Sequence, residues 1–335
     1  MRAVVYGRYG GPEVLSVRNV PAPTPASDEV LVRVVSSSLN DWDEKLMTGD
    51  PWVNRVGSWR VPQHPTLGSD VAGRVEAVGT DVTRWQPGDD VVGDLSSDGF
   101  GAFAEYAVGR ESAWVARPAE LTWVQSGALM QAGTLAAAAL RSTRGVKPGS
   151  EVLVNGAGGG VGTFVVQMAA ALGARVTGVD TAAKLDVVRS AGASTVVDYT
   201  AEDVAAHGAR YDVIVDIACH RSVRDYRRML APGGSVAVTG GSLPHVVAAM
   251  VLGPTTSLVR RTRISVPLWQ ANRTRDVEYL LGAVRSGVGP VIDQVVSLVD
   301  TAVAMRCFQQ SRHRGKVAIR VDTAAADPGG PGDAS

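Results

Sequence analysis

The run EVLVNGAGGGVGTFVVQMAAALGARVTGVD, residues 151–180, restricts what this chain can become more than any other segment. Its apolar start reads as a strand, Glu151–Val154. Five glycines follow within Gly156–Gly162, then an amphipathic helix, Val161–Leu172, and a second strand, Arg175–Val179. Glycine has no Cβ, so such a loop turns tightly and lets its backbone approach a pyrophosphate. The helix that follows offers free N–H groups and the positive end of its dipole. A strand, glycine loop, helix and second strand closed by an acid predict dinucleotide binding, with Ala157, Gly158, Gly159, Gly160 and Val161 as the loop contacts. A phosphate-transfer loop would need Lys followed by Ser or Thr at its end, and no such pair is present.

Asp180 lies eighteen residues after Gly162, close to the ~20-residue offset of an acid that accepts hydrogen bonds from ribose hydroxyls. A 2′-phosphate there would meet like charge, so the expected cofactor is NAD(H) in preference to NADP(H). Lys184, one turn into the next helix, either pairs with Asp180 or tolerates a phosphate, and Tyr199 is a second candidate contact on that side.

The chain has 335 residues, enough for two compact domains. Up to about Val115 it reads as short alternating strands separated by Gly and Pro turns: Val30–Val35, Val71–Val78, Asp90–Val92 and Ala104–Val108. An alanine-rich helix is expected over Val124–Leu140. Strands and helices then alternate through Asp212–Val215, Ser222–Leu230 and Ser235–Thr239, which predicts a parallel sheet. A helix at Thr274–Ser286 and a strand at Lys316–Val321 close the pattern. The expected division is a β-rich domain over 1–122, a dinucleotide-binding domain over 123–258, a mixed segment over 259–322, and a disordered tail over 323–335.

Net charge is zero, which argues against nucleic acid as a partner. No run is long and apolar enough for a membrane span or a signal peptide, so the expectation is a cytoplasmic protein acting on a small-molecule substrate, without a membrane partner. The two cysteines, Cys219 and Cys307, make no disulfide framework. Seven tryptophans against four phenylalanines draw notice. Trp42, Trp52 and Trp59 fall where strand or helix is hard to draw, and they read either as loop packing or as the lining of a flat ligand's pocket.

Further segments extend the pattern: Tyr9–Leu15 (YGGPEVL), Leu67–Gly79 (LGSDVAGRVEAVG), Pro87–Asp89 (PGD), Gly101–Tyr106 (GAFAEY), Ala191–Tyr199 (AGASTVVDY) and Gly315–Ala318 (GKVA). With the glycine loop they resemble the medium-chain dehydrogenase/reductase superfamily, and its zinc-free quinone-oxidoreductase-like branch in particular. The resemblance implies an α/β protein with a GroES-like β-rich catalytic domain, an inserted Rossmann doubly wound parallel-sheet domain, a return to the first domain over 259–322, a cleft between the two domains, and a homodimer. It implies reduction of an activated C=C bond in a quinone, enone or enoyl substrate by hydride from nicotinamide. Gly240, Gly241 and Lys316 join the expected cofactor contacts on the same ground.

Zinc-bearing members carry Cys where this chain has Asn40, and His-Glu where it has Ser69-Asp70. Two ligands are therefore replaced, and Asp43 and Asp70 are a poor remaining set, so no metal is expected. His64 reads as a solvated loop residue. Asn40 matches the asparagine at the family's cleft floor; it either donates to the substrate oxygen or ties its own loop. Lys45 stands where some relatives have a substrate-facing tyrosine, and reads as a donor or as a surface lysine.

Other departures lie where nicotinamide is expected. Leu129–Ala136 (LMQAGTLA) replaces Leu-Pro-x-Ala-Gly-x-Thr-Ala and introduces Gln131, and Asp216–His220 (DIACH) replaces Asp-x-Val-Gly. Cys219 and His220 read either as a reactive pair or as loop filling or a cofactor contact. Trp42, Trp52, Gln131 and Trp269 are the expected substrate-pocket residues. Two alternatives accompany this reading: a dedicated biosynthetic reductase or dehydrogenase for a large natural product, and a non-redox nucleotide-binding scaffold.

Overall fold

The computed structural model describes residues 1–55, 58–260 and 262–322. The first stretch forms strands β1 (Arg2–Val5), β2 (Ser16–Asn19) and β3 (Glu29–Ser38), helix α1 (Asp41–Thr48), strands β4 (Asp70–Val78), β5 (Asp90–Asp94), β6 (Tyr106–Arg110) and β7 (Trp114–Ala116), and the short helix α2 (Trp123–Ser126). Next come α3 (Met130–Ser142), β8 (Glu151–Asn155), α4 (Gly160–Ala171), β9 (Arg175–Asp180), α5 (Leu185–Ser190), β10 (Thr195–Asp198), β11 (Tyr211–Asp216), α6 (Val223–Met229), β12 (Leu230–Val238), α7 (Leu243–Arg260), β13 (Arg263–Ser265) and α8 (Thr274–Arg285). The chain ends in β14 (Ile292–Ser297), α9 (Thr301–Gln309) and β15 (Lys316–Arg320).

Two compact units result: Met1–Gln131 with Ile292–Ser335, and Ala132–Val291. In the first, seven strands among the described residues form one sheet in the order β14-β15-β3-β4-β5-β7, with β6 also on β3. β3 is long enough to pair with β6 through Glu29–Arg33 and with β15 through Ser36–Ser38 along one edge, while β4 takes the other. Val30, Val32 and Val34 on one face and Leu31 and Val35 on the other are all buried. Val32, Val71, Val91, Leu95, Phe103, Trp114 and Ile319 belong to the core, and each such side chain contributes about 1.5–3 kcal/mol by leaving water.

The second unit holds a sheet in the order β10-β9-β8-β11-β12-β13, parallel throughout. From β8 the chain winds outward through β9 and β10, then returns to β11 on the other side of β8. The switch point lies between β8 and β11, and ligands of such sheets bind beyond the carboxyl ends of the strands there.

The elements differ from the sequence reading in three places. The helix expected over Val124–Leu140 is two helices, because a Thr122–Gln125 capping box starts α2 and Gly127 packs against Ser36 where a Cβ would clash. Residues 259–291 belong to the second unit, not to the return: β13 extends its sheet, and Asp276 of α8 pairs with Arg141 of α3. Trp42 lies in a helix, α1. The tail expected to be disordered, 323–335, lies outside the described residues.

Candidate active site

In the second unit β8 ends at Asn155 and the chain turns through Gly156, whose φ of 80° an L side chain rarely adopts. The Gly156 and Ala157 N–H groups donate to Val179 O at 3.0 and 3.1 Å, which places the loop beside the end of β9. A Cβ on Gly162 would collide with the Gly156 carbonyl oxygen and the Ala157 backbone. This close helix–loop approach is why the last glycine is needed. Gly159, Gly160 and Val161 are half-buried at the start of α4, where the first N–H groups of a helix have no intrahelical acceptor.

Asp180 closes β9 and is 6% exposed. Its Oδ2 accepts the Gly158 N–H at 2.8 Å, and its Oδ1 accepts the Thr181 N–H at 2.9 Å. The Lys184 ammonium lies 4.0 Å from Oδ1, with most of its side chain buried. Tyr199 is exposed, and its N–H donates to Asp180 O. Asp180, Lys184, Tyr199 and the glycine loop are thus brought together. Beyond β11 and β12, Gly241 bridges to Cys219 and the Gly240 carbonyl accepts the Cys219 N–H, so the two loops brace each other at the same sheet end. The Cys219 thiol is 3.1 Å from Tyr226 Oη, and Tyr226 Oη donates to Asp216 at 2.7 Å. Burial pushes the Cys219 thiol up and the Asp216 carboxyl up. Cys219 is therefore a buried thiol partnered by Tyr226, not an activated nucleophile paired with His220. Trp269 is in this unit too, its indole donating to Thr134 Oγ1 at 3.1 Å.

In the first unit Asn40, with extended backbone, caps α1. The third helical residue, Asp43, accepts the Asn40 and Gly68 N–H groups, each at 2.9 Å, and so fixes the helix start against the entry to β4. Asp70 is fully buried at the start of β4. Its Oδ2 accepts from Ser38 Oγ at 2.8 Å, Asn40 Nδ2 at 3.0 Å and Lys316 Nζ at 3.2 Å, while Oδ1 accepts the Gln131 N–H at 2.7 Å. Gln131 Nε2 donates to Ser69 Oγ at 2.9 Å, which Asn40 Nδ2 approaches at 3.4 Å. Gln131 is thus wired to Asn40 through Ser69 and Asp70. Asp94 stands opposite Asp70 in the ladder. Burial, then the Asp70 charge, pushes Asp94 up to about 7, and burial does the same to Asp43.

Several expectations change here. Lys316 does not reach for a cofactor: it is 2% exposed, and its ammonium donates to Leu39 O, Asn40 Oδ1 and Asp70. Asn40 has its carbonyl on Lys316 and one N–H on Asp70; the remaining contacts, to Ser69 and Ser38, are long at 3.4 and 3.5 Å. Lys45 is exposed on α1. Trp42 and Trp52 are 44% and 66% exposed, and Trp52 stacks on Trp59 at 6.1 Å rather than on the core. A small recess in this unit is lined by Tyr6, Tyr9, Leu46, Asn54, Ser58, Gln63 and His64, with none of Trp42, Trp52 or Gln131 among them. His64 is half-buried against Phe100, ring centres 5.1 Å apart, and burial lowers its pKa, so it is not a solvated loop residue. The sequence reading sets Asp43 beside Asp70 only as a poor metal set and does not single out Asp94. The signal was an acid inside or beside an apolar strand, as in Asp90–Asp94 (DVVGD).

Family models of an alcohol dehydrogenase GroES-like domain and of a zinc-binding dehydrogenase match residues 26–119 and 160–283. The chain is 33% identical to a chloroplastic quinone oxidoreductase, QR1, of Triphysaria versicolor, over 95% of this chain and 98% of that protein. It is 32% identical to a chloroplastic NADPH-dependent alkenal/one oxidoreductase of Arabidopsis thaliana, over 73% of this chain and 64% of the relative. In fold it matches the quinone oxidoreductase of Coxiella burnetii with a TM-score of 0.84 at 23% identity, covering 96% and 99% of the two chains. The chain belongs to the medium-chain dehydrogenase/reductase superfamily, among its quinone oxidoreductases.

A nicotinamide dinucleotide fits what this quinone-oxidoreductase relative offers. The half-buried Gly160–Val161 start of α4 would give N–H groups to a pyrophosphate, and a Cβ on Gly158 would sit 2.7 Å from Lys184 Cβ, so only glycine leaves that cradle intact. A zinc ion does not fit. Among the described residues no three His, Cys, Asp or Glu side chains could hold a metal, and an ammonium already rests on Asp70.

Proposed function

We propose that this protein reduces an activated C=C bond of a quinone, enone or enoyl substrate, using NADH in preference to NADPH and no metal. Bound nicotinamide supplies the hydride. The N–H groups at the start of α4 hold the pyrophosphate, and Asp180 accepts hydrogen bonds from the ribose hydroxyls. On the substrate side, hydrogen-bond donors oppose the charge that grows on the carbonyl oxygen. Asn40, held by Lys316 and Asp70, and the exposed Lys45 are the candidates. The working form in this proposal is a cytoplasmic homodimer, and light scattering that returned a monomer would remove that part.

The single observation carrying the cofactor preference is the buried Asp180 carboxylate bonded to Gly158 of the loop. An ionised carboxylate has about four acceptor sites, and the two backbone N–H groups leave capacity for ribose hydroxyls. A 2′-phosphate would add charge beside it, only partly offset by Lys184. Incubation with NADH and a panel of one quinone, one enone and one enoyl thioester tests the reaction. Coupled NADH oxidation and a product two hydrogens heavier are expected; no turnover of any class would defeat the reading.

A further inference from the structure

We infer that the Lys316 ammonium is the resident cation of this site, standing where zinc-bearing relatives hold their metal, and that it positions Asn40 and Gln131 through Asp70. The donor set carries the argument. Asn40 and Ser69 occupy the positions matched by the zinc ligands Cys and His, and Lys316 Nζ bonds Asn40 Oδ1 directly and Asp70 Oδ2 at 3.2 Å. Both members of the pair are almost wholly buried, Lys316 at 2% and Asp70 at 0%. Asp70 Oδ2 already accepts three donors, Ser38, Asn40 and Lys316. A zinc ion would have to sit about 2.0–2.2 Å from a carboxylate oxygen, displacing those donors and facing a second cation.

Charge balance argues the same way. Asp43, Asp70 and Asp94 are all buried, and the Lys316 charge favours the ionised form of both Asp43 and Asp94 while the Asp70 charge opposes it. The ammonium bonds Asp70 directly and acts on Asp43 and Asp94 as a nearby charge, without needing thiolate or imidazole. Its carrier is the first residue of β15, so the closing strand of the fold brings the charge to the start of α1. Asn40 cannot turn its amide over while its carbonyl is on Lys316, and that fixes which way its N–H groups point. Lys316 is a positioning residue on this account, because it acts through Asn40 and Asp70. The inference deepens the metal-free part of the proposal above. Its test reads metal, stability and kinetics separately, so a wrong cofactor preference leaves it standing.

The experiment compares the full-length protein with Lys316→Met, Lys316→Arg and the double variant Lys316→Met/Asp70→Asn. Dialysis against zinc followed by elemental analysis is expected to leave the unaltered protein without stoichiometric metal, with an unfolding midpoint that a chelator does not move. Lys316→Met should unfold at lower temperature, and the double variant should recover part of that loss, since it no longer buries an unpaired carboxylate. Where Lys316→Met remains folded, kcat should fall about tenfold or more with NADH affinity unchanged, and Lys316→Arg should restore part of it. Stoichiometric zinc in the unaltered protein would overturn the inference. So would weakened NADH binding with unchanged kcat, which would return Lys316 to the cofactor. If Lys316→Met does not fold, zinc uptake and the kinetics of Lys316→Arg still decide.

Discussion

The Asp180 carboxylate takes one backbone N–H on each oxygen and lies 4.0 Å from Lys184. Removing its charge while keeping a small polar side chain should shift cofactor choice. Asp180→Ser is expected to weaken NADH about tenfold, or ~1.4 kcal/mol, and to strengthen NADPH. Parallel tryptophan-fluorescence titrations read both, and an unchanged NADH-to-NADPH ratio would show that Asp180 only braces the loop. A second prediction concerns Asp94, held near 7 against an ordinary 3.8. A carboxyl raised in the folded state contributes its full stability below the unfolded value. That contribution is lost as pH rises from about 4 to about 7 and stays lost above. Asp94→Asn should therefore flatten part of the fall in unfolding midpoint between about pH 4 and about pH 7, with Asp43 supplying another part. A pH profile identical to that of the unaltered protein would contradict the assignment.

At the scale of elements, the unit β8–loop–α4–β9 was readable because its signals are local. The glycine positions, the apolar helix and the following strand lie within thirty residues, and backbone geometry needs no distant partner to explain them. Gly162 carries the tightest demand, since a Cβ there meets the Gly156 and Ala157 backbone. Gly162→Ala should cost about 1–3 kcal/mol through overpacking and abolish measurable NADH binding by moving α4 off the loop. Thermal unfolding with and without NADH checks it, and a variant still stabilised by NADH would refute it. The cluster around Asp70 was less legible. Asn40, Ser69 and Gln131 were each singled out, yet their connection runs through Asp70 and Lys316, residues 246 positions apart. No spacing rule links a strand start to the last strand of the chain.

At the scale of the whole molecule, neutrality conceals a division. The second unit carries 17 Lys and Arg against 11 Asp and Glu, a net +6; the first carries 16 against 22, a net −6. The positive unit is the one with the glycine loop, and its field favours an anionic dinucleotide. Raising salt from low to about 0.5 M shortens the screening length several-fold, so NADH affinity should fall with ionic strength, and NADPH affinity should fall more steeply with its extra phosphate. Titrations at two salt concentrations decide, and salt-independent binding would remove the steering argument.

The sequence by itself determined the alternation of the parallel units and the glycine loop with its flanking strands and helix, because each rests on local periodicity or on residue identity at short spacing, while the GroES-like fold and the replaced zinc ligands came from the family resemblance. Only the tertiary structure decided where the return to the first unit begins, since β13 joins the second sheet by pairing with β12. It also decided that Cys219 is partnered by Tyr226 and that Lys316 faces Asn40 and Asp70 rather than a nucleotide. The strand pairing and the Lys316 contacts depend on which strands become neighbours and on where a buried charge finds its counter-charge, both settled by packing between segments distant along the chain, whereas Cys219 and Tyr226 lie seven positions apart and meet where α6 follows the turn after β11.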